Sequence, residues 1–128
     1  MGTCYSLLVE HGVHRLLIQG SAGAVPGVLD RLEVDVVYLA VGALGKQSAD
    51  YRRRYWNDVV GAVGARRILP IHWDDLSKPL SEDLVPLPYL VDNFDQTLRF
   101  LDERAAESGV EVNIPQAWVA VDPFAQLR

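Results

Sequence analysis

The chain has a single cysteine, Cys4, among its 128 residues. One cysteine excludes a disulfide within the chain, which fits a reducing compartment. No uninterrupted apolar run approaches the roughly 20 residues that a membrane-spanning helix needs. The start of the chain, Met1 to Tyr5, has no basic stretch leading into an apolar one, so we expect no signal peptide. These absences predict a cytoplasmic protein without a membrane partner. The neighbours of Cys4 are typical of a strand, so we expect Cys4 to be a buried structural thiol.

Basic residues are also few. The 12 Lys and Arg residues are outnumbered by 17 Asp and Glu residues, which gives a net charge of −5. Proteins that bind nucleic acid usually carry a Lys/Arg-rich surface, so we expect no nucleic-acid partner. The densest basic stretch, Arg52 to Arg54, is predicted to be the solvated side of a helix. The length fits a single domain over residues 1–128.

The apolar pattern predicts five strands. Residues 3–9 and 15–18 form a hairpin whose turn contains Gly12, because glycine adopts the positive φ of tight turns. The nearly continuous apolar runs at 35–41 and 67–71 are typical of strands covered on both faces. Residues 110–114 are predicted to be the last strand.

Three helices are predicted between these strands. A short helix begins at Pro26 and ends near Leu32. A second helix is capped by Ser48 and ended by Gly64, and a third is capped by Asp92 and ended by Gly109. The apolar positions with helical spacing are Tyr51, Tyr55, Val59 and Val63 in the second helix, and Phe94, Leu98, Leu101 and Ala105 in the third. Alternating strands and helices predict an α/β fold with parallel pairing.

Two glycine-containing segments do not match nucleotide-binding motifs. Gly20 to Gly23 has the wrong glycine spacing for a dinucleotide site, and Gly45-Lys46 lacks the other residues of a phosphate-binding loop. Among the three histidines, His11 and His14 are predicted to lie exposed at the hairpin turn. His72 follows an inner strand, where α/β sheets bind their ligands, and Asp74 would point to the same side. His72 is therefore either a hydrogen-bonded structural residue or a metal or acid/base group.

The order of these segments resembles the second half of a metallo-β-lactamase-fold metallo-hydrolase, in its lactonase-like branch. The resemblance rests on the hairpin, on Gly20-Ser21-Ala22-Gly23, on the strand at 35–39 and on Pro70-Ile71-His72-Trp73-Asp74-Asp75. It implies one half of an αββα sandwich with a zinc site that activates water to hydrolyse an ester, lactone or phosphoester. By position, the resemblance makes His72 a metal ligand and puts Ser21 where the family carries a bridging Asp. Trp73 and Asp74 would line the cleft.

Two departures from the family pattern bear on activity. The family signature His-x-His-x-Asp-His is absent from the sequence, and Ser21 is a poor zinc ligand. A catalytic zinc normally has three protein ligands and a bound water. We therefore assign no catalytic residue and expect this chain to be inactive alone. It would bind zinc and a small-molecule substrate only with a separate N-terminal half. The alternative is a non-catalytic α/β module that self-associates, as a homodimer, through its exposed sheet.

Overall fold

The computed structural model describes residues 4–127. Within this range it is an α/β fold with a mixed five-stranded sheet and two α-helices. The elements are β1 (Ser6–His11), β2 (His14–Gln19), β3 (Val36–Ala40), α1 (Ala49–Trp56), β4 (Arg67–Ile71), α2 (Phe94–Ser108) and β5 (Glu111–Val112). The strands lie side by side in chain order, with β1 antiparallel to β2 and all later pairs parallel. The predicted fold class and parallel pairing are confirmed.

The hairpin formed by β1 and β2 lies at one edge of the sheet. Its strands close at the pair His11 and His14, and Gly12 takes the left-handed conformation in the turn, with φ 61°. The predicted first residue of the hairpin, Thr3, lies outside the described residues. Cys4 is exposed, so the prediction of a buried thiol is wrong. It precedes an edge strand whose residues are all exposed, and such a strand offers little surface to bury a thiol.

The segment from Pro26 to Leu32 forms consecutive turns and not the predicted short helix. Its backbone hydrogen bonds join residues three apart, as from the N–H of Leu32 to the carbonyl of Leu29 at 2.9 Å. Gly27 has a φ of 81°. A residue in this left-handed conformation interrupts a right-handed helix, which explains the difference.

Helix α1 begins as predicted. The Ser48 hydroxyl accepts a hydrogen bond from the Tyr51 N–H at 3.1 Å, which caps the first turn. The helix continues into a π-helical turn at Asn57–Gly61, and Gly64 follows with a φ of 64°. The predicted apolar stripe is buried along most of its length, at Tyr55, Val59 and Val63, while Tyr51 is half-buried.

Helix α2 begins and packs differently from the prediction. Asn93, and not Asp92, is the N-cap, since its side chain accepts a hydrogen bond from the Gln96 N–H at 3.2 Å. The buried residues of the helix are Thr97, Phe100 and Leu101. The predicted stripe shares only Leu101 with this set; Phe94, Leu98 and Ala105 are half-buried. Strand β5 is shorter than the predicted 110–114.

Both helices cover the same side of the sheet, which we call the helix face. Register places Leu17, Val37, Ile68 and Val112 in one row on this side. The first three are at most 1% exposed and share one apolar cluster with residues of both helices, while Val112 packs against it. The helix residues of the cluster are Tyr55, Trp56, Val59, Val60, Phe100 and Leu101. Burial of this apolar surface is the main favourable contribution to folding.

The opposite side, which we call the open face, carries the buried Val36 and Leu69 in β3 and β4. Toward the hairpin edge it carries Leu7, Val9, Leu16, Ile18 and Tyr38. Leu7 is 57% exposed and Val9 43% exposed, and the other three are half-buried.

The chain after β5 crosses part of the open face. Arg67 Nη1 donates a hydrogen bond to the Pro123 carbonyl at 2.7 Å. The rings of His14 and Phe124 stack, with centroids 4.6 Å apart. Trp118, in the same segment, is 79% exposed and so is not a core residue, whereas Trp56 is buried.

Neither helix has the length and apolar character required to cross a bilayer, as judged over residues 4–127.

Candidate functional site

The candidate site lies at the edge of the sheet where the parallel strands β2, β3 and β4 end. Three loops leave the sheet there, at residues 20–23, 41–45 and 72–75. Open α/β sheets bind their ligands at this carboxyl edge, because the loops there converge from neighbouring strands. The topology therefore brings Ser21 and His72 to the same edge, with β3 between their strands.

His72 follows β4 directly and has a φ of 59°. Histidine adopts this left-handed conformation more readily than most residues, but it remains uncommon. The ring packs over Gly42, at the end of β3. A Cβ added to Gly42 would lie 2.9 Å from His72 Cε1 and 2.7 Å from the His72 carbonyl oxygen. Glycine is therefore required at position 42, and Nε2 is the ring nitrogen farther from it.

The loop that carries Ser21 is held by its backbone carbonyls. Gln19 Nε2 donates to the carbonyls of Ser21 at 3.0 Å and Gly23 at 2.7 Å. The Tyr55 hydroxyl donates to the carbonyls of Ser21 at 3.1 Å and Ala40 at 2.7 Å. Burial raises the pKa of Tyr55, so the phenol stays protonated and remains a donor. These bonds tie the ends of β2 and β3 together and leave the Ser21 side chain exposed.

Trp73 and Asp74 follow His72, and Trp73 packs against the apolar cluster. The Trp73 ring stacks on Phe94, with centroids 5.2 Å apart and an interplanar angle of 16°. Asp74 pairs with Pro86 in an isolated antiparallel bridge, so its backbone is extended.

Asp75 has a structural role in the next turn. Its carboxylate accepts hydrogen bonds from the Ser77 hydroxyl at 2.6 Å and the Ser77 N–H at 3.0 Å. These bonds, with the Ser77 hydroxyl contributing most, hold the pKa of Asp75 below its usual value. Asp75 therefore caps a turn.

The other two histidines lie at the opposite end of β2. His11 is exposed, as predicted. His14 is half-buried instead, with its ring against Phe124 and its Nδ1 3.8 Å from Asp35 Oδ2. The partner Phe124 is 110 positions away in the chain, so this contact was not visible in the sequence.

Asp92 is a site residue that the sequence pattern did not identify. Its side chain is 1% exposed, and Oδ2 accepts a hydrogen bond from the Ala43 N–H at 2.9 Å. The pattern assigned it to helix capping, which Asn93 performs. Gly42 was also missed. The available signal was the run of small residues after the third strand, Gly42-Ala43 and Gly45.

An apolar groove of about 620 Å³ adjoins the Ser21 loop. It lies between the hairpin and residues 21–32 and is lined by Leu8, Leu17, Val25 and Val28, among others. Volumes of about 300–1,000 Å³ are typical of small-molecule sites. The groove and the carboxyl edge therefore share Ser21.

The side chains at this edge do not form a metal site by themselves. Among residues 4–127, no group of three or more His, Cys, Asp or Glu side chains could hold a metal ion. A catalytic zinc needs three protein ligands, so His72 alone does not fit the zinc that the resemblance implies.

Comparison with known proteins does not assign the chain to a family. No family model matches the chain, no curated protein matches it, and no solved structure matches its fold.

Proposed function

We propose that this chain is the carboxyl-terminal half of a metal-dependent hydrolase with the metallo-β-lactamase fold. The substrate would be an ester, lactone or phosphoester, and the chain is inactive alone. One observation carries the proposal: both helices cover one face of the sheet, and the other face exposes apolar residues such as Leu7 and Val9. One half of an αββα sandwich has this form, because its inner face is completed by the second sheet.

In this proposal His72 is one metal ligand of the complete site. Two features support the assignment. His72 lies at the carboxyl edge of the sheet, and it is held in a left-handed conformation. Residues in such uncommon conformations cluster at functional sites, because the surrounding contacts must compensate for their strain. Ser21 occupies the place of the bridging Asp at the same edge. Trp73, fixed by Phe94, and Asp74 line the cleft beside His72.

The remaining ligands would come from the N-terminal half of the fold, docked on the open face. The acidic net charge of −5 and the open apolar surface favour this partner over nucleic acid. The apolar groove beside Ser21 is consistent with a small-molecule substrate. Zinc is expected only in the assembled protein.

Reconstitution tests the proposal. The chain is co-expressed with an N-terminal half that carries His-x-His-x-Asp-His, and bound zinc is measured by mass spectrometry after purification. We expect stoichiometric zinc in the assembled protein, and less in the His72→Ala variant. His11→Ala is the matched control, because His11 is exposed at the opposite end of the sheet. Zinc content that His72→Ala leaves unchanged would contradict the proposal.

The second candidate function is a non-catalytic module that self-associates as a homodimer. It is favoured by β1, an edge strand of six exposed residues with leucine or valine at positions 7–9. Natural edge strands are usually protected by Lys, Pro or bulges, and an unprotected one pairs readily with another chain. Sedimentation of the purified chain separates the two candidates. A dimer that Val9→Lys converts to a monomer supports the module, and a stable monomer at micromolar concentration contradicts it.

A further inference from the structure

The segment that begins α2 contacts two of the three loops of the candidate site. Asp92 Oδ2 accepts a hydrogen bond from Ala43 in the loop after β3. The carbonyl of Asn93 lies so close to Gly45 that a Cβ there would collide with it. Phe94 stacks on Trp73, the residue after His72. Three consecutive residues of one segment therefore contact the loops that follow β3 and β4.

We propose that Asp92 is the positioning residue of the His72 site. Its carboxylate holds Ala43 in the left-handed conformation, with φ 59°, and this places Gly42 against the His72 ring. The meaning of this role for hydrolysis rests on the proposed function. The placement of the His72 ring is independent of the proposed function, because it involves only residues of this chain.

The backbone contacts provide a direct route from Asp92 to His72. The N–H of Val41 donates to the Ile71 carbonyl at 2.9 Å, which fixes the ends of β3 and β4 side by side. The next residue, Gly42, lies under the His72 ring. Ala43 follows, held by Asp92. If Ala43 relaxed from its left-handed conformation, the Gly42 backbone beneath the ring would rotate with it.

The burial of Asp92 is costly, and this cost argues for a specific role. A buried carboxylate is unfavourable unless its oxygens are hydrogen-bonded. Within residues 4–127, Asp92 Oδ1 has no hydrogen-bond partner, and Oδ2 is bonded to a single backbone N–H. Helix capping does not explain the residue either, since Asn93 provides the cap. The bond to Ala43 is the contact that the carboxylate makes possible.

The test is an NMR measurement on the metal-free chain. In the wild type we expect a nuclear Overhauser contact between Gly42 Hα and His72 Hε1. Asp92→Ala should abolish this contact and shift the Hε1 resonance. Asp92→Asn should retain it, because the amide oxygen still accepts from Ala43. Thr97→Val is the matched control, since Thr97 is equally buried in helix α2, which begins two residues after Asp92, and it should change neither signal. Loss of the contact in both Asp92→Asn and Thr97→Val would contradict the positioning role.

Amide hydrogen exchange of the wild type provides a second test if Asp92→Ala does not fold. Ala43 precedes a short 3₁₀ helix at Leu44–Lys46, and its N–H is bonded to Asp92. We expect the exchange rate of this amide to be lower than that of an unprotected loop amide by a factor of roughly ten or more. Exchange at the rate of an unprotected amide would overturn the inference. Zinc binding that is independent of His72 would reject the proposed function and leave this result unaffected.

Discussion

The two faces of the sheet are stabilised in different ways. On the helix face, Leu39 and Ile68 are at most 1% exposed and belong to one apolar cluster. On the open face, Leu7 and Val9 remain exposed. The chain after β5 is attached to that face by a charged and an aromatic contact, at Arg67 and His14.

The difference arises because different segments of the chain pack on the two faces. Two amphipathic helices supply the helix face with apolar side chains. The open face receives residues 113–127, a segment without helix or strand. Contiguous exposed apolar surface marks interaction sites in many proteins. The comparison therefore predicts that the helix face contributes most of the folding free energy and that the open face binds a partner.

The largest expected effect comes from truncating a leucine on the helix face. Leu39→Ala should lower the free energy of unfolding by about 2–5 kcal/mol, because it leaves a cavity at a site 1% exposed. Leu7→Ala removes the same atoms from a side chain that is 57% exposed and should cost about 0.5 kcal/mol or less. Urea unfolding of both variants measures the difference. Equal losses would mean that the open face is buried in solution, as in a homodimer.

An intermediate effect is expected from Arg67, which pairs with Glu111 in β5 and also holds the chain after β5 through the Pro123 carbonyl. Arg67 Nε and Nη2 both donate to Glu111 Oε2, at 2.8 and 2.7 Å, and the Arg67 side chain is 8% exposed. Arg67→Met keeps the apolar stem and removes these bonds together with the one to Pro123. We expect a loss of about 1.5–3 kcal/mol and faster hydrogen exchange in residues 119–127.

The control for this variant is Arg53→Met. Arg53 pairs with Asp50 on the exposed surface of α1, and such a pair contributes about 1 kcal/mol at most. Hydrogen exchange of α1 should be unchanged in Arg67→Met. If α1 and the segment after β5 lost protection together, the two faces would not be independent.

Sequence patterns predicted the elements that depend on local signals. Ser48 before an apolar repeat identified the start of α1, and Gly12 identified the hairpin turn. The position of His72 at the carboxyl edge followed from the alternation of strands and helices. For Ser48 and Gly12 the deciding interaction lies within a few residues in the chain.

The features that were missed depend on contacts between distant residues. Asp92 bonds to Ala43, 49 positions away, and a carboxylate at a helix start looks the same in sequence whether it caps the helix or holds a loop. The buried residues of α2 include Thr97 and Phe100, which the predicted stripe left out, and the Phe100 ring makes a T-shaped contact with Trp56, 44 positions away. Cys4 was predicted buried from its neighbours, but burial depends on the position of the strand in the sheet.

The smallest expected effect is a dependence of stability on acid at the amino ends of β2 and β3. The Asp35 carboxylate accepts a hydrogen bond from the Arg15 N–H at 2.9 Å. This bond, assisted by the Arg66 guanidinium and opposed by burial, lowers the pKa of Asp35 from its usual value of 3.8. Since the pKa is lower in the folded state, Asp35 stabilises the fold above pH 3.8, and this contribution is lost as the pH falls through the folded pKa.

Asp35→Asn should therefore be less stable than the wild type at pH 7 and should lose less stability between about pH 4 and 2. Urea unfolding at pH 7, 4 and 2.5 measures both quantities. Asp102→Asn, which removes an exposed carboxylate from α2, is the control for the change in net charge. Asp35 lies beside His14, and the His14 ring stacks on Phe124. Acid should therefore increase amide hydrogen exchange near Phe124 before it increases exchange on the helix face. If acid increased hydrogen exchange in α1 first, the helix face would be the less stable of the two. The prediction that this face carries most of the folding free energy would then be wrong.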